Sequence, residues 1–283
     1  MDEQNMNILE RIHASYFQLT ATEKRVADFV LNQSERVQFM SITQLAEECG
    51  TAEATISRFC RSLKLKGFNA FKIELARYST PEKVLHQQRH SLDTPEGRFR
   101  EVGRLSIDAI EQTIELADRE TVTRAVEMIE QAPHVMCIGS GGSMVMASDC
   151  AHQFSTVTPK VYAVADAHMQ MTACATMGVD DIIILFSYSG ATTSGIQILE
   201  LARQRGVKTI LVTRYNKSPA AKLADVVLLC GSNEGPFQFG SVPAKVAQLI
   251  VVDMLFREYY MRNQSSGEEN VQRIGAALSG MHV

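Results

Sequence analysis

Nine residues, "SYSGATTSG" at 187–195, gather hydroxyl groups in one place. Ser187, Ser189, Thr192 and Thr193 are compact donors, and Gly190 lets the backbone come close to whatever they hold. The run before them, "DDIIILF", has the composition of a buried strand; the run after, "IQILELARQRG", has helical periodicity. Hydroxyls and amides at a strand-to-helix turn stand at the positive end of the helix dipole, which favours an anion. "GSGGSMVMASD" (139–149) repeats the design, with Gly141 in the turn and Ser143 at the start of a helix. Two such loops on neighbouring strands would converge on one small polyanion. The dinucleotide fingerprint GxGxxG is incomplete, because Met144 stands where its third glycine belongs, although Asp166 is available as the acid. No GxxxxGK[ST] occurs, which excludes a nucleotide P-loop. "SYSGA" also lacks the first glycine of a GxSxG nucleophile elbow, and clustered hydroxyls suit holding better than attack.

A different chemistry lies near the start of the chain. "QLAEECGTAEATISRF" has the spacing of a helix-turn-helix. Ala46 is small where two helices must touch, Gly50 takes a turn that needs positive φ, and Ile56 and Phe59 anchor the second helix. With Ile56, Phe59 and Leu63 inward, Ala52, Glu53, Ala54, Thr55, Ser57, Arg58 and Arg61 are expected outward. Small residues allow close approach to base edges, and Arg58 and Arg61 reach phosphates or guanine. Thr51 is expected as the N-cap, leaving amides near a backbone phosphate. A plain helical hairpin is the alternative for this segment.

Charge supports the first reading. Residues 1–50 hold four Lys/Arg against eight Asp/Glu, whereas residues 51–80 hold six against two. Four cations and no acid lie in "SRFCRSLKLK" (57–66), inside a chain of net charge −4. No global field therefore advertises nucleic acid or membrane; the positive excess is local.

The elements that must position these residues fall into two groups. Residues 1–78 read as helical, with Thr20 or Thr22 capping "TATEKRVADFVLNQ" and Ser41 with Gln44 capping "SITQLAEECG". Gly67 is expected to end the helix that carries Arg58, and "NAFKIELARYS" makes another. Residues 79–96, with Pro81 and Pro95, read as a linker. Two helices follow, "GRFREVGRLSIDAIEQTIELAD" and "RETVTRAVEMIEQA". From Pro133 short apolar strands alternate with helices: 134–138, 160–164, 181–186, 208–213 and 225–230. That pattern predicts a doubly wound α/β domain over 97–264, a five-stranded parallel sheet covered on both faces. Residues 265–283 read as a loose polar tail.

Cys49, Cys60, Cys137, Cys150, Cys174 and Cys230 form no CxxC pair and read as buried small side chains, so neither a metal site nor a cofactor is expected. No apolar run approaches the ~20 residues of a membrane span, and the first residues lack a signal-peptide pattern. The cytoplasm is the expected compartment.

The two halves together resemble the RpiR-type bacterial transcriptional regulators. Residues 1–78 resemble their helix-turn-helix domain in "LTATEKRVADFV", "SITQLAEECG" and "ATISRFCRSLKLKGFNAFKIEL". Residues 107–262 resemble a sugar isomerase (SIS) domain in "IGSGGSMVMASD", "ADAHMQ", "FSYSGATTSG" and "VAQLIVVDMLF". The resemblance implies phosphosugar binding, with Ser187, Ser189 and Thr192 on the phosphate and Ser143 beside them. It also implies homodimers or homotetramers and control of sugar-catabolism genes, with double-stranded operator DNA as the partner. One departure is Ala220, where leucine is common after Ser218-Pro219. The alternative class is a phosphosugar isomerase or lyase, for which Glu234 or His168 would be the base; a third is an adaptor whose helices contact protein.

Overall fold

The computed structural model describes residues 7–78, 94–232 and 241–279. Calls on Glu234, Pro81 and most of the linker lie outside them. The chain divides into two compact units, residues 1–104 with 233–239, and residues 105–232 with 240–283.

The first unit is helical: α1 (Ile8–Ser15), α2 (Ala21–Asn32), α3 (Ser34–Val37), α4 (Ile42–Glu48), α5 (Glu53–Ser62) and α6 (Phe68–Tyr78). Starts are set by reciprocal capping boxes, Asn7 with Glu10, Thr20 with Glu23 and Ser41 with Gln44, each satisfying amides that the first turn leaves open. The apolar faces of these helices close on one core, in which Ile12, Val26, Val30, Leu45, Ile56, Phe59 and Phe71 are fully buried. Phe59 and Phe71 meet edge to face at 5.6 Å.

Two helix ends differ from expectation. Helix α4 stops at Gly50 (φ +58) in a Schellman arrangement: Gly50 N donates to Glu47 O at 3.0 Å and Thr51 N to Ala46 O at 2.8 Å. Thr51 is thus committed to ending α4, and the N-cap of α5 is Ala52, without a side-chain cap. At the other end α5 stops before Gly67. Lys64 takes the left-handed position (φ +59), with Lys64 N bonded to Arg61 O at 2.8 Å and Leu65 N to Cys60 O at 3.0 Å.

The second unit contains β1 (Val135–Gly139), β2 (Val161–Ala163), β3 (Ile182–Phe186), β4 (Lys208–Thr213) and β5 (Val226–Leu229), all parallel, in the order β2-β1-β3-β4-β5. Helices α7 (Pro95–Leu116), α8 (Arg119–Gln131), α9 (Gly142–Ser155), α10 (Ala167–Thr176), α11 (Thr193–Arg205) and α12 (Val242–Arg262) accompany it, α7 beginning in the first unit by sequence. Alternate residues serve opposite faces, as a pleated strand requires. Cys137, Ile184 and Phe186 pack with Val126, Phe154, Val251 and Leu255, whereas Met136, Ile138, Ile183 and Leu185 pack with Cys174, Ile198 and Leu199.

The expected loose tail is instead α13 (Gln264–Leu278). Its anchors are polar, which hid it from hydrophobic periodicity: Asn270 Nδ2 donates to Val157 O at 2.8 Å, and Asn263, just before it, donates to Glu130 Oε1 at 2.7 Å. The small Gly267 lies against the Tyr260 ring. Among the described residues no helix is long and apolar enough to cross a membrane.

Candidate functional site

The strand order reverses between β1 and β3. From β1 the chain crosses to β2 on one side; from β3 it continues to β4 on the other. Open parallel sheets bind ligands in the crevice at the carboxyl ends of such a pair. Both glycine- and hydroxyl-rich turns lie there. After β1, Ser140 and Gly141 (φ +57) lead into α9, with Gly141 as its N-cap and Ser143 half-buried in its first turn. After β3, Ser187 is buried, Ser189 and Thr192 are exposed, and Thr192 is the N-cap of α11 without using its side chain for the cap. The two loops touch: Ser140 Oγ and Ser194 Oγ are 3.4 Å apart. Neither residue stood out in the sequence, because only the strand order brings them together.

The β3 loop is held from below. Ala220 N donates to Gly190 O at 2.9 Å, and the fully buried Ser218 lies directly under Gly190. A Cβ on Gly190, at φ +59, would stand 2.0 Å from Ser218 Oγ. Only glycine fits, so its role is support of the turn as well as close approach of backbone. Ala220 is 1 % exposed, so the departure from leucine is a packing choice beneath the loop. Tyr188, between the two serines, is tied through its carbonyl to Thr213 Oγ1 (3.1 Å) and Arg214 N (3.0 Å), and through its hydroxyl to Ser232 O (2.8 Å). Thr213, Arg214 and Ser232 escaped the sequence reading, and Ser218 entered it only as part of the Ser218-Pro219 pair.

Two further candidates follow β2. Asp166 caps α10 by accepting from Met169 N at 2.9 Å, a structural use. His168, the possible base, is exposed in the first turn of α10. Gln170, buried on the same helix, donates to Gly139 O at 3.0 Å and Val164 O at 2.8 Å, fixing the ends of β1 and β2. A cavity of 260 Å³ opens at the amino end of β4, lined by Arg203, Lys208, Lys222 and Asp225 among others. It lies at the wrong end of the sheet for ligand binding, and Asp225 is occupied by Lys208 Nζ at 3.1 Å and Thr209 N at 2.9 Å. Among the described residues no His, Cys, Asp or Glu group is placed to hold a metal.

The second surface is α5. Ala52, Ala54, Arg58 and Arg61 are exposed and Ser57 is half-buried. Thr55, expected outward, is buried at 5 % exposure. It lies one turn before Phe59 on the inner face, and its hydroxyl accepts from Arg58 Nη2 at 3.1 Å. Glu53 is half-buried and accepts from Thr43 Oγ1 at 2.8 Å, fastening α5 to α4. Behind the helix, Glu23 is held below its ordinary pKa. Burial raises it, but hydrogen bonds from the Thr20 amide and hydroxyl and from Ser62, with the charge of Arg58, outweigh that cost.

Comparison with known proteins finds a match for each half of the chain. A helix-turn-helix model of the rpiR family matches residues 6–82, and a SIS domain model matches residues 128–257. The HTH-type transcriptional regulator TTE0211 of Caldanaerobacter subterraneus subsp. tengcongensis is 32% identical over 251 residues, covering 88% of this chain and 89% of its own. The HTH-type transcriptional regulator HexR of Escherichia coli K12 is 27% identical over 278 residues, 96% of this chain and 94% of its own. Among solved structures, Vibrio vulnificus NanR complexed with ManNAc-6P superposes with a TM-score of 0.86 at 27% identity, over 98% of this chain and 100% of that one. With a helix-turn-helix unit, a SIS unit and relatives matching both along nearly their whole length, the chain belongs to the RpiR family of helix-turn-helix transcriptional regulators carrying a SIS domain.

Proposed function

We propose that this regulator senses a phosphorylated sugar in its SIS unit and thereby controls genes of sugar catabolism. The observation that carries the reading is the meeting of the two hydroxyl loops, Ser140 on Ser194, at the strand-order reversal. Ser187, Ser189, Thr192 and Ser143 would hold the phosphate, with Gly141 and Gly190 shaping the turns; Glu234 is proposed on sequence alone. The reading is supported by the NanR relative, whose structure holds ManNAc-6P. On α5, Ala52, Ala54 and Ser57 would face base edges, and Arg58 and Arg61 would contact phosphates or guanine.

The chain acts as a homodimer or homotetramer in this reading, since two reading heads match paired half-sites about 34–36 Å apart or a multiple of that. Effector binding favours one arrangement of the heads and so shifts operator affinity. Binding without turnover is the proposed role.

The test is capture of sheared genomic DNA from the source organism by purified protein, with and without a pool of sugar phosphates, followed by sequencing. Fragments sharing a paired half-site and changing with the pool are expected. No enrichment in either condition would remove the regulator reading of the sugar site, and interconversion of aldose and ketose phosphates by the same protein would replace it with the isomerase.

A further inference from the structure

Ser232 is one of two non-glycine residues among those described with positive φ, at +86. Left-handed backbone at serine carries strain, and such strain persists where surrounding bonds over-determine it. Here four bonds do so. Ser232 O accepts from Tyr188 Oη at 2.8 Å and from Arg214 Nε at 2.8 Å. Ser232 N donates to Gln112 Oε1 at 3.2 Å, and the preceding Gly231 N donates to Thr113 Oγ1 at 2.8 Å. Thr113 is fully buried and its own hydroxyl donates to Ala109 O at 2.6 Å, so the pairing is locked into α7.

These bonds join two things that need joining. On one side is Tyr188, flanked by the two serines proposed to hold phosphate. On the other is α7, the helix from which the chain leads back to the reading domain. We infer that Tyr188, Ser232 and Gln112 form a positioning relay that couples the sugar-phosphate loop to α7. The inference rests on the phosphate-site reading given above.

The physical case is direct. A phosphate drawn onto Ser187 and Ser189 shifts the backbone on both sides of Tyr188. The Tyr188 carbonyl is fixed to β4, so the ring hydroxyl responds to any rotation of the loop. That hydroxyl shares the Ser232 carbonyl with Arg214, and a left-handed residue held only by its bonds is poised to change conformation when one is lost. The next bond is to Gln112, about one turn from the helix end. Coupling between sites requires an element whose arrangement both ligands bias, and this hub supplies one.

The test uses the full chain and separates coupling from binding. Operator fragments from the capture experiment are titrated by fluorescence polarisation with and without saturating glucose 6-phosphate, fructose 6-phosphate or N-acetylmannosamine 6-phosphate, and affinity for the same compounds is measured by calorimetry. Tyr188→Phe removes one hydroxyl, and Gln112→Leu removes the acceptor, whereas Gln112→Glu keeps an acceptor oxygen. Tyr188→Phe and Gln112→Leu are expected to bind DNA alone as the parent does while the effector-dependent ratio of DNA affinities shrinks by about two- to tenfold, the equilibrium worth of one neutral hydrogen bond. Gln112→Glu should restore the ratio, which a merely structural loss would not. A Tyr188→Phe protein with the parental ratio would overturn the relay and leave the sugar site standing. A parent chain that binds none of these compounds and shows no response would overturn the sugar site, and the relay with it.

Discussion

Helix α5 and the loop after β3 both carry the side chains proposed to contact a partner, yet they hold them by different physics. On α5, exposure follows from a 3.6-residue period: Ile56, Phe59 and Leu63 face inward, and Arg58 and Arg61 ride outward on a rigid cylinder. In the β3 loop nothing is periodic. Ser187, Tyr188 and Gly190 are placed one at a time by Val212, Thr213, Arg214 and Ala220, which lie 25 to 30 positions further along the chain. A surface carried by a helix tolerates change in any outward residue and fails when the inner face fails. A surface carried by a loop fails residue by residue. The comparison also teaches where redundancy lies: the helix has several cations, the loop a single allowable residue at its apex.

That contrast can be broken at four points. Phe59→Ala, deep in the helical core, should destabilise the first unit by about 3–5 kcal/mol and abolish DNA binding, while the sheet unit keeps its own melting transition in calorimetry. A single common loss of both transitions would refute the separation of the two cores. Gly190→Ala should cost about 2–4 kcal/mol, from left-handed strain and the collision with Ser218, and should remove effector binding with DNA affinity retained. Wild-type calorimetry of a sugar phosphate on that variant would show that the loop is not the site.

A paired substitution sharpens the division of labour. Arg58→Ala should weaken operator binding by about 1–3 kcal/mol without altering sugar-phosphate affinity, and Ser189→Ala should abolish the response to sugar phosphate without altering DNA binding alone. Polarisation assays on both variants decide it; a Ser189→Ala protein that responds normally removes that hydroxyl from the pocket.

The smallest effect is a pH dependence confined to one unit. Glu23 has a folded pKa below its ordinary value, so its contribution is present above the ordinary glutamate range and is lost as pH falls through the lowered folded value. Acid titration followed by far-ultraviolet circular dichroism should show the first unit losing stability in that window. Glu23→Gln should flatten the slope.

The same contrast explains what could be read in the sequence. Each strand was located within about a residue or two, because strands buried on both faces leave unbroken apolar runs. The start of α4 was legible in its capping box, Ser41 with Gln44 three residues on, whereas for α2 the sequence left Thr20 and Thr22 open and the structure selects Thr20 with Glu23. Thr51 misled because a threonine after a turn looks like a cap, whereas its amide was already needed to close α4. Thr55 is buried because it stands four residues before Phe59, on the face that Ile56, Phe59 and Leu63 alone were expected to fill. The pairing of Ser140 with Ser194, the Ser218 pedestal and the Ser232 hub link residues 18 to 120 positions apart, and no local pattern encodes them.

Lys64 offers a last consequence. Glycine would occupy its left-handed position with about 1 kcal/mol less strain, and a chain shaped by stability alone would carry it there. The chain instead keeps a lysine at the end of a cationic run. The terminus of α5 thus combines a left-handed backbone with a cation. Thermostabilised variants selected without DNA should drift toward glycine at this position, and the drift itself would record which property natural selection was guarding.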